Sequence, residues 1–328
     1  MTARPESPSI LIIGGGPAGL SCGLWLKNMG MEPLILEKGD HLGGSQLDQS
    51  HENNWLLGLP RETGQSLAKR FAAHVRDCGV AFRLGENVSR LEQTPSGWAV
   101  CTAASETIES AALVLAMGSR PRGAEDFESV PGGELLSDPR WASLHPGDVY
   151  QRGQELSGRR VCVIGGGDNA FKTALFAAER ASFVEILARS QVRADTHHQR
   201  AVDQALKAGK ARVRQHVQIV RFERQTTELR LWLQEGGQPP FPLSTDLVFL
   251  RTGYRPNVSL AQPWIADRRL HTDKRGCLVT NRDMQTSLPG VYAIGELTAS
   301  GHPCVATAIA EGAAAARTIE ENLRQPLF

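Results

Sequence analysis

The run Gly14-Gly15-Gly16-Pro17-Ala18-Gly19 has a near copy 151 residues later, Gly165-Gly166-Gly167-Asp168-Asn169-Ala170. Few features narrow the possible folds as much, because each copy stands between an apolar run of strand type and a stretch of helical type. Residues 9–13 (SILII) lead into the first copy, 20–29 follow as a helix, and 33–36 form a second strand that ends at Glu37, 23 residues after Gly14. Residues 160–164 (RVCVI) lead into the second, with a helix over 171–180 and a returning strand over 184–187. Strand, tight turn, helix, strand is the unit that aims a helix N-terminus at a pyrophosphate. Its chemistry asks Gly14 to make the turn, Gly16 to let backbone N–H groups reach the phosphates, and Gly19 to let helix and strand pack closely. Pro17 and Ala18 complete that turn. Glu37, with Lys38 beside it, falls where a carboxylate accepts both ribose hydroxyls of an adenosine.

The second copy departs from the first in two places. Its third glycine is Ala170, and the position matching Glu37 is Ala188, followed by Arg189. A site with Gly165, Gly167, Asp168 and Asn169 in the turn, no acid for the ribose and an arginine beside it suits a 2′-phosphate, which leans toward NADP over NAD.

Composition removes several alternatives. A chain of 328 residues has the length of about two domains. Lys and Arg total 36 against 35 Asp and Glu, and no block of like charge stands out, which speaks against nucleic acid or an anionic membrane surface as partner. The longest strictly apolar run is residues 111–117, well short of the roughly 20 needed to span a bilayer, and residues 1–9 do not read as a leader. The expectation is a cytoplasmic protein. The six cysteines lie far apart, the closest pair in sequence being Cys78 and Cys101, 23 residues from one another. No local dithiol or metal-binding pattern is present, and no metal is expected.

These turns, and several shorter segments, resemble the low-molecular-weight thioredoxin reductase family among the flavoproteins with two dinucleotide-binding domains. Residues 113–118 (LVLAMG), with Ala116 and Gly118, resemble the strand that leads the chain out of the first domain. Gly43, Gly44, Ser45 and Gln46, followed by Asn54, resemble the segment that runs past the flavin, and Val88 belongs to the same implied FAD set. Residues 246–257 (DLVFLRTGYRPN), with Arg251 and Gly253, resemble the exit from the nucleotide domain. Residues 290–296 (GVYAIGE) resemble the strand whose Gly-Asp pair holds the ribityl chain, here Gly295 with Glu296 in place of Asp. Glu296 is also expected to open a helix. The resemblance implies an α/β fold of two Rossmann-like, three-layer ββα domains, the second inserted into the first. The expected FAD domain covers 1–122 and 247–328, and the second nucleotide domain 123–246. Residues 213–242 (VQIVRFE, LRLWLQ) alternate apolar and polar and read as antiparallel strands added to the insert.

Three departures from the family matter. Its dithiol would fall near Asp148-Val149-Tyr150-Gln151, where there is no cysteine, so ordinary thioredoxin reductase chemistry is not expected. Its arginine clamp for the 2′-phosphate is reduced to Arg189 and Arg193, which either grip a phosphate or simply face solvent. The segment that normally meets the pyrimidine end of the flavin is Pro303-Cys304-Val305. There a helix N-terminus supplies N–H groups, and Cys304 reads either as a thiolate beside the ring or as a small packed side chain. His302 is a proton donor or an exposed histidine.

The leading expectation is an FAD-dependent oxidoreductase that exchanges electrons between NADP(H) or NAD(H) and an unidentified small molecule or small redox protein, working as a homodimer. A diflavin enzyme with a second FAD in the second site is the alternative, and a non-catalytic flavin sensor the third. Ferredoxin–NADP reductase activity ranks lower, for want of an added segment after the helix over 306–323. Substrate contacts are expected from residues 47–60 and 138–154.

Overall fold

The computed structural model describes residues 10–267 and 269–324; the readings made on residues 1–9 and on the tail after Arg324 lie outside the described residues. The chain divides into two compact units, one running to Arg120 and resuming at Arg255, the other spanning Pro121–Tyr254.

The first unit begins with β1 (Ile10–Ile13), α1 (Pro17–Asn28), β2 (Pro33–Leu36), α2 (Gly64–Asp77) and β3 (Ala81–Arg83). Three strands follow, β4 (Val88–Thr94), β5 (Gly97–Thr102) and β6 (Thr107–Ser110), before β7 (Ala112–Leu115) and the outgoing β8 (Ser119–Pro121). Every residue of β1 is buried because its period of two sends alternate side chains to opposite faces of a covered parallel sheet. Ile10 and Ile12 meet the helices. Leu11 and Ile13 meet Leu91, Trp98 and Val100 of the antiparallel strands, where Trp98 stands edge-on to Trp264 with ring centres 5.2 Å apart.

The second unit repeats this plan. It carries β9 (Ala142–Ser143), β10 (Arg160–Ile164), α3 (Asp168–Ala178), β11 (Phe183–Ala188), α4 (Thr196–Lys207), β12 (Ala211–Gln215), β13 (Val217–Arg224), β14 (Leu229–Glu235), β15 (Phe241–Thr245) and β16 (Leu247–Leu250). Val161 and Val163 of β10 pack on the helix side with Phe171 and Ala174. Cys162 and Ile164 pack on the antiparallel side with Phe222, Leu229 and Leu231. The chain returns through β17 (Tyr254–Pro256), then forms β18 (Val291–Ala293) and the long α5 (Val305–Leu323).

The two five-stranded sheets have matching orders, β18-β7-β1-β2-β3 and β9-β16-β10-β11-β12, and each carries a three-stranded antiparallel sheet, β4-β5-β6 and β13-β14-β15. The register shifts lie in β4 between Val88 and Arg90 and in β13 between Ile219 and Arg221. The outgoing and returning strands, β8 and β17, pair with each other.

Three expectations are corrected. Residues 247–254 do not belong with the first unit, because β16 is parallel to β10 and β9 inside the second sheet; its four apolar residues need burial on both faces. The alternating stretch 213–242 starts inside β12, which is parallel to β11, and only β13 to β15 are antiparallel. Glu296 opens no helix of length, lying in a single 3-10 turn, Gly295–Leu297. No helix among the described residues is long and apolar enough to cross a membrane.

Candidate functional site

In the first unit the glycine turn joins β1 to α1, with Pro17 at the first helical position, where its lack of an N–H costs nothing. Gly14 has φ +112°, and a Cβ there would lie 2.3 Å from Ala116 O; one at Gly19 would lie 2.0 Å from Gly14 O. At Gly16 the one atom of the described residues within 4 Å of such a Cβ is Gly44 Cα, at 3.8 Å. Backbone is thus packed hard below the turn and open above it, a cradle that side chains would fill.

Other segments close around it. Gly43, with φ +131°, donates its N–H to Gly15 O at 2.8 Å, which brings Gly44 onto Gly16. Ser45 and Gln46 continue as a 3-10 turn, Gly44–Asp48. Glu37, at the end of β2, accepts the N–H of Gly15 at 2.6 Å and that of Gly39 at 2.8 Å. Lys38 is exposed. Ala116 donates to Ile13 O at 2.8 Å, and Gly118 has φ +61° as the chain turns toward β8. A Cβ on Gly295, φ +72°, would stand 3.0 Å from Ala18 Cβ. Glu296 next to it accepts the hydroxyl of Ser119. Val88 is buried in β4. Asn54 takes no part in these contacts; its carboxamide accepts the N–H of Arg61 at 3.1 Å in an exposed loop that also presents Trp55 and Leu57.

The second turn has the same build. Gly165, φ +150°, would place a Cβ 2.2 Å from Arg251 O, while one at Gly167 meets nothing within 4 Å among the described residues. Ala170 is fully buried at the third position. The loop after β11 folds back on the turn, Arg193 and Ala194 donating to Gly166 O at 2.7 and 3.0 Å. Asp168 accepts the N–H of Asp195 at 2.8 Å, and Asp195 caps α4 by accepting the N–H of His198 at 2.8 Å. Asn169 donates to the Tyr254 hydroxyl at 3.3 Å. Arg189 and Arg193 are exposed, and Ala188 is buried.

Residues 8–312 match the protein family described as pyridine nucleotide-disulphide oxidoreductase. The chain belongs to that family. It is similar to a ferredoxin–NADP reductase of Limosilactobacillus fermentum, 28% identical over 98% of this chain and 95% of that one. It is also similar to a thioredoxin reductase of Listeria innocua, 24% identical over 99% and 97%. The crystal structure of Lactococcus lactis thioredoxin reductase shares the fold, with a TM-score of 0.82 at 22% identity, covering 96% of this chain and 98% of that one. The protein is therefore an FAD-dependent oxidoreductase of thioredoxin reductase-like, two-domain Rossmann architecture.

Within this oxidoreductase Arg251 does not offer its head to a pyrophosphate. Its side chain is buried, and the guanidinium donates to Thr173 Oγ1 at 2.9 Å and to the carbonyls of Leu144, His145 and Leu250 at 3.0, 2.9 and 2.8 Å. Burial, against the pull of Asp148 and two tyrosines, lowers its pKa to about 10. Asp148 begins a short helix, Asp148–Gln151, and its carboxylate accepts the Ser143 hydroxyl at 2.8 Å and the His145 N–H at 3.1 Å. That is the segment where the resemblance would place a dithiol.

The six cysteines are all free thiols. Cys22 and Cys162 are fully buried, and burial pushes both thiols up. Cys304 is different, being exposed at the N-cap of α5 in a reciprocal cap with Thr307, whose hydroxyl accepts the Cys304 N–H at 3.0 Å. Partial burial raises its pKa, but hydrogen bonds from Thr307 and Ala306 outweigh this and hold the thiol below its ordinary value. Val305 opens α5 and is buried, and His302 is exposed, its carbonyl accepting the Thr307 hydroxyl at 2.8 Å.

Proposed function

We propose that the protein carries electrons between a nicotinamide nucleotide and an external acceptor through one FAD, with no cysteine pair in the path. The observation that carries the reading is the pair of matched cradles, one with Glu37 at its ribose end and the other with Ala188 and Arg189. The open backbone above Gly16 and Gly167 fits a pyrophosphate at each helix N-terminus. In the first unit Gly14, Gly16, Pro17, Ala18 and Gly19 would hold the FAD diphosphate, Glu37 its ribose, and Gly295 with Glu296 the ribityl chain. Val305 and Cys304, at the start of α5, would present N–H groups to the pyrimidine edge. In the second unit Gly165 to Ala170 would hold the nicotinamide nucleotide, with Arg189 and Arg193 on its 2′-phosphate. When bound, FAD accepts a hydride and passes on one or two electrons.

With Asp148–Gln151 where a dithiol would lie, electrons leave toward a small molecule or a small redox protein that meets the flavin directly. The end-to-end similarity to a reductase named for ferredoxin favours a protein acceptor. We place the enzyme in the cytoplasm and expect a homodimer. The reduced arginine clamp, with only the exposed Arg189 and Arg193 beside the second turn, favours one other reading, a second FAD in the second unit.

The test is the count of FAD released per chain from protein purified without added cofactor, followed by anaerobic mixing with NADPH and NADH. One FAD per chain with bleaching by NADPH is the expected result. Two FAD per chain selects the diflavin reading, and absence of bleaching with both nucleotides overturns the nicotinamide route.

A further inference from the structure

Helix α5 carries a carboxyl that none of these roles uses. Glu311, half-buried and about two turns into the helix, accepts the backbone N–H of Gly295 at 2.6 Å and faces the hydroxyl of Thr298 at 3.4 Å. Ser300 also bonds to it; burial raises its pKa, and these three partners pull it back. The three lie within residues 295–300, on either side of Glu296 in sequence.

The next residue explains how α5 comes so near. A Cβ on Gly312 would lie 2.4 Å from Ala18 O and 2.8 Å from Cys22 N, so α5 rests directly on the backbone of α1. One turn earlier, Ser21 donates its hydroxyl to Ile309 O at 2.7 Å. Gly295 in turn lies against Ala18. Glu311-Gly312 therefore joins three pieces of the flavin cradle: the phosphate end of α1, the Gly295-Glu296 turn, and α5 itself. Alanine would serve packing alone in so alanine-rich a helix, and a half-buried carboxyl costs desolvation unless it is bonded.

We infer that Glu311 is a positioning residue that fastens the turn over residues 295–298 to α5 and so sets where Glu296 stands beside the flavin. The inference rests on the reading that FAD occupies the first unit. Its chemistry is that of an acceptor for the Gly295 amide, which a glutamine reproduces and an alanine does not.

The test compares Glu311→Ala and Glu311→Gln with the parent protein. Two quantities are read on the same preparations: amide hydrogen exchange of the peptide covering residues 294–299, and FAD affinity. The expected result is exchange at least tenfold faster and FAD binding at least tenfold weaker in Glu311→Ala, with both within threefold of the parent in Glu311→Gln. Parent-like exchange in Glu311→Ala, loosened exchange with unchanged FAD affinity, or a Gln variant as impaired as the Ala variant overturns the inference. Failure of the flavin reading shows separately, as a parent protein that holds no FAD. In that case the exchange of the Gly295 peptide alone decides whether Glu311 fastens the turn.

Discussion

Arg251 Nε donates to the hydroxyl of Thr173 at 2.9 Å, tying the last strand of the second sheet to the helix that follows its glycine turn. The rest of the guanidinium is spent on backbone carbonyls of residues 143–145 and 250. An arginine so used is a structural bolt. Arg251→Met should leave several buried carbonyls without donors and destabilise the second unit by about 3 kcal/mol. Urea unfolding measures this, and an unchanged midpoint together with lost nucleotide binding would show that the residue serves the ligand instead.

Glu37 holds Gly15 and Gly39 with one carboxylate. Glu37→Ala removes two charge-assisted bonds inside the turn as well as the acceptor for the ribose, so FAD affinity should fall by about tenfold or more. Fluorescence of released flavin during dilution reads the change. Retention equal to the parent protein would remove Glu37 from the site.

Cys304 has its pKa depressed and Cys277 has its raised, the latter by burial and by Asp273. The thiolate of Cys304 is populated at a lower pH than an ordinary cysteine, so iodoacetamide should label it first and its pH profile should sit below that of Cys277. The sign for stability follows. A depressed pKa contributes above the unfolded value and is lost as pH falls through the folded one. Cys304→Ser should keep the cap and abolish the early labelling; labelling of Cys277 ahead of Cys304 would contradict the assignment.

Arg189 and Arg193 are exposed beside the second turn. Replacing both with alanine should raise KM for NADPH by roughly tenfold while leaving NADH within twofold, since one guanidinium on a phosphate contributes about 1.5–3 kcal/mol before screening. Equal loss for both nucleotides would point to damage of the turn itself.

The two glycine turns and their strands were legible because glycine at Gly14 and Gly165 answers a local steric demand, with backbone oxygen 2.3 and 2.2 Å from where a Cβ would be. The spacing also put Glu37 directly after β2, where it stands. The sheet to which β16 belongs was not legible, because a run of four apolar residues carries no mark of its partner strands. Arg251 looked like a ligand because charge is visible in sequence and burial is not. Glu311 went unread in an alanine-rich helix, although an acid followed directly by glycine on the packed face is a signal of close approach. Ser119 gave none, since its partner Glu296 lies 177 residues away.

The matching strand orders conceal a difference in timing. The second sheet has its edge strand β9 in hand before the others and holds all five strands once Leu250 has been made. The first sheet waits for β18, and α1 waits for α5, which ends at Leu323. At a synthesis rate of about 5–20 residues per second, those last seventy or so residues take roughly 4–14 s. During that interval on the ribosome the later-made unit is ready to fold, while β7 of the earlier one offers an open hydrogen-bonding edge to whatever passes.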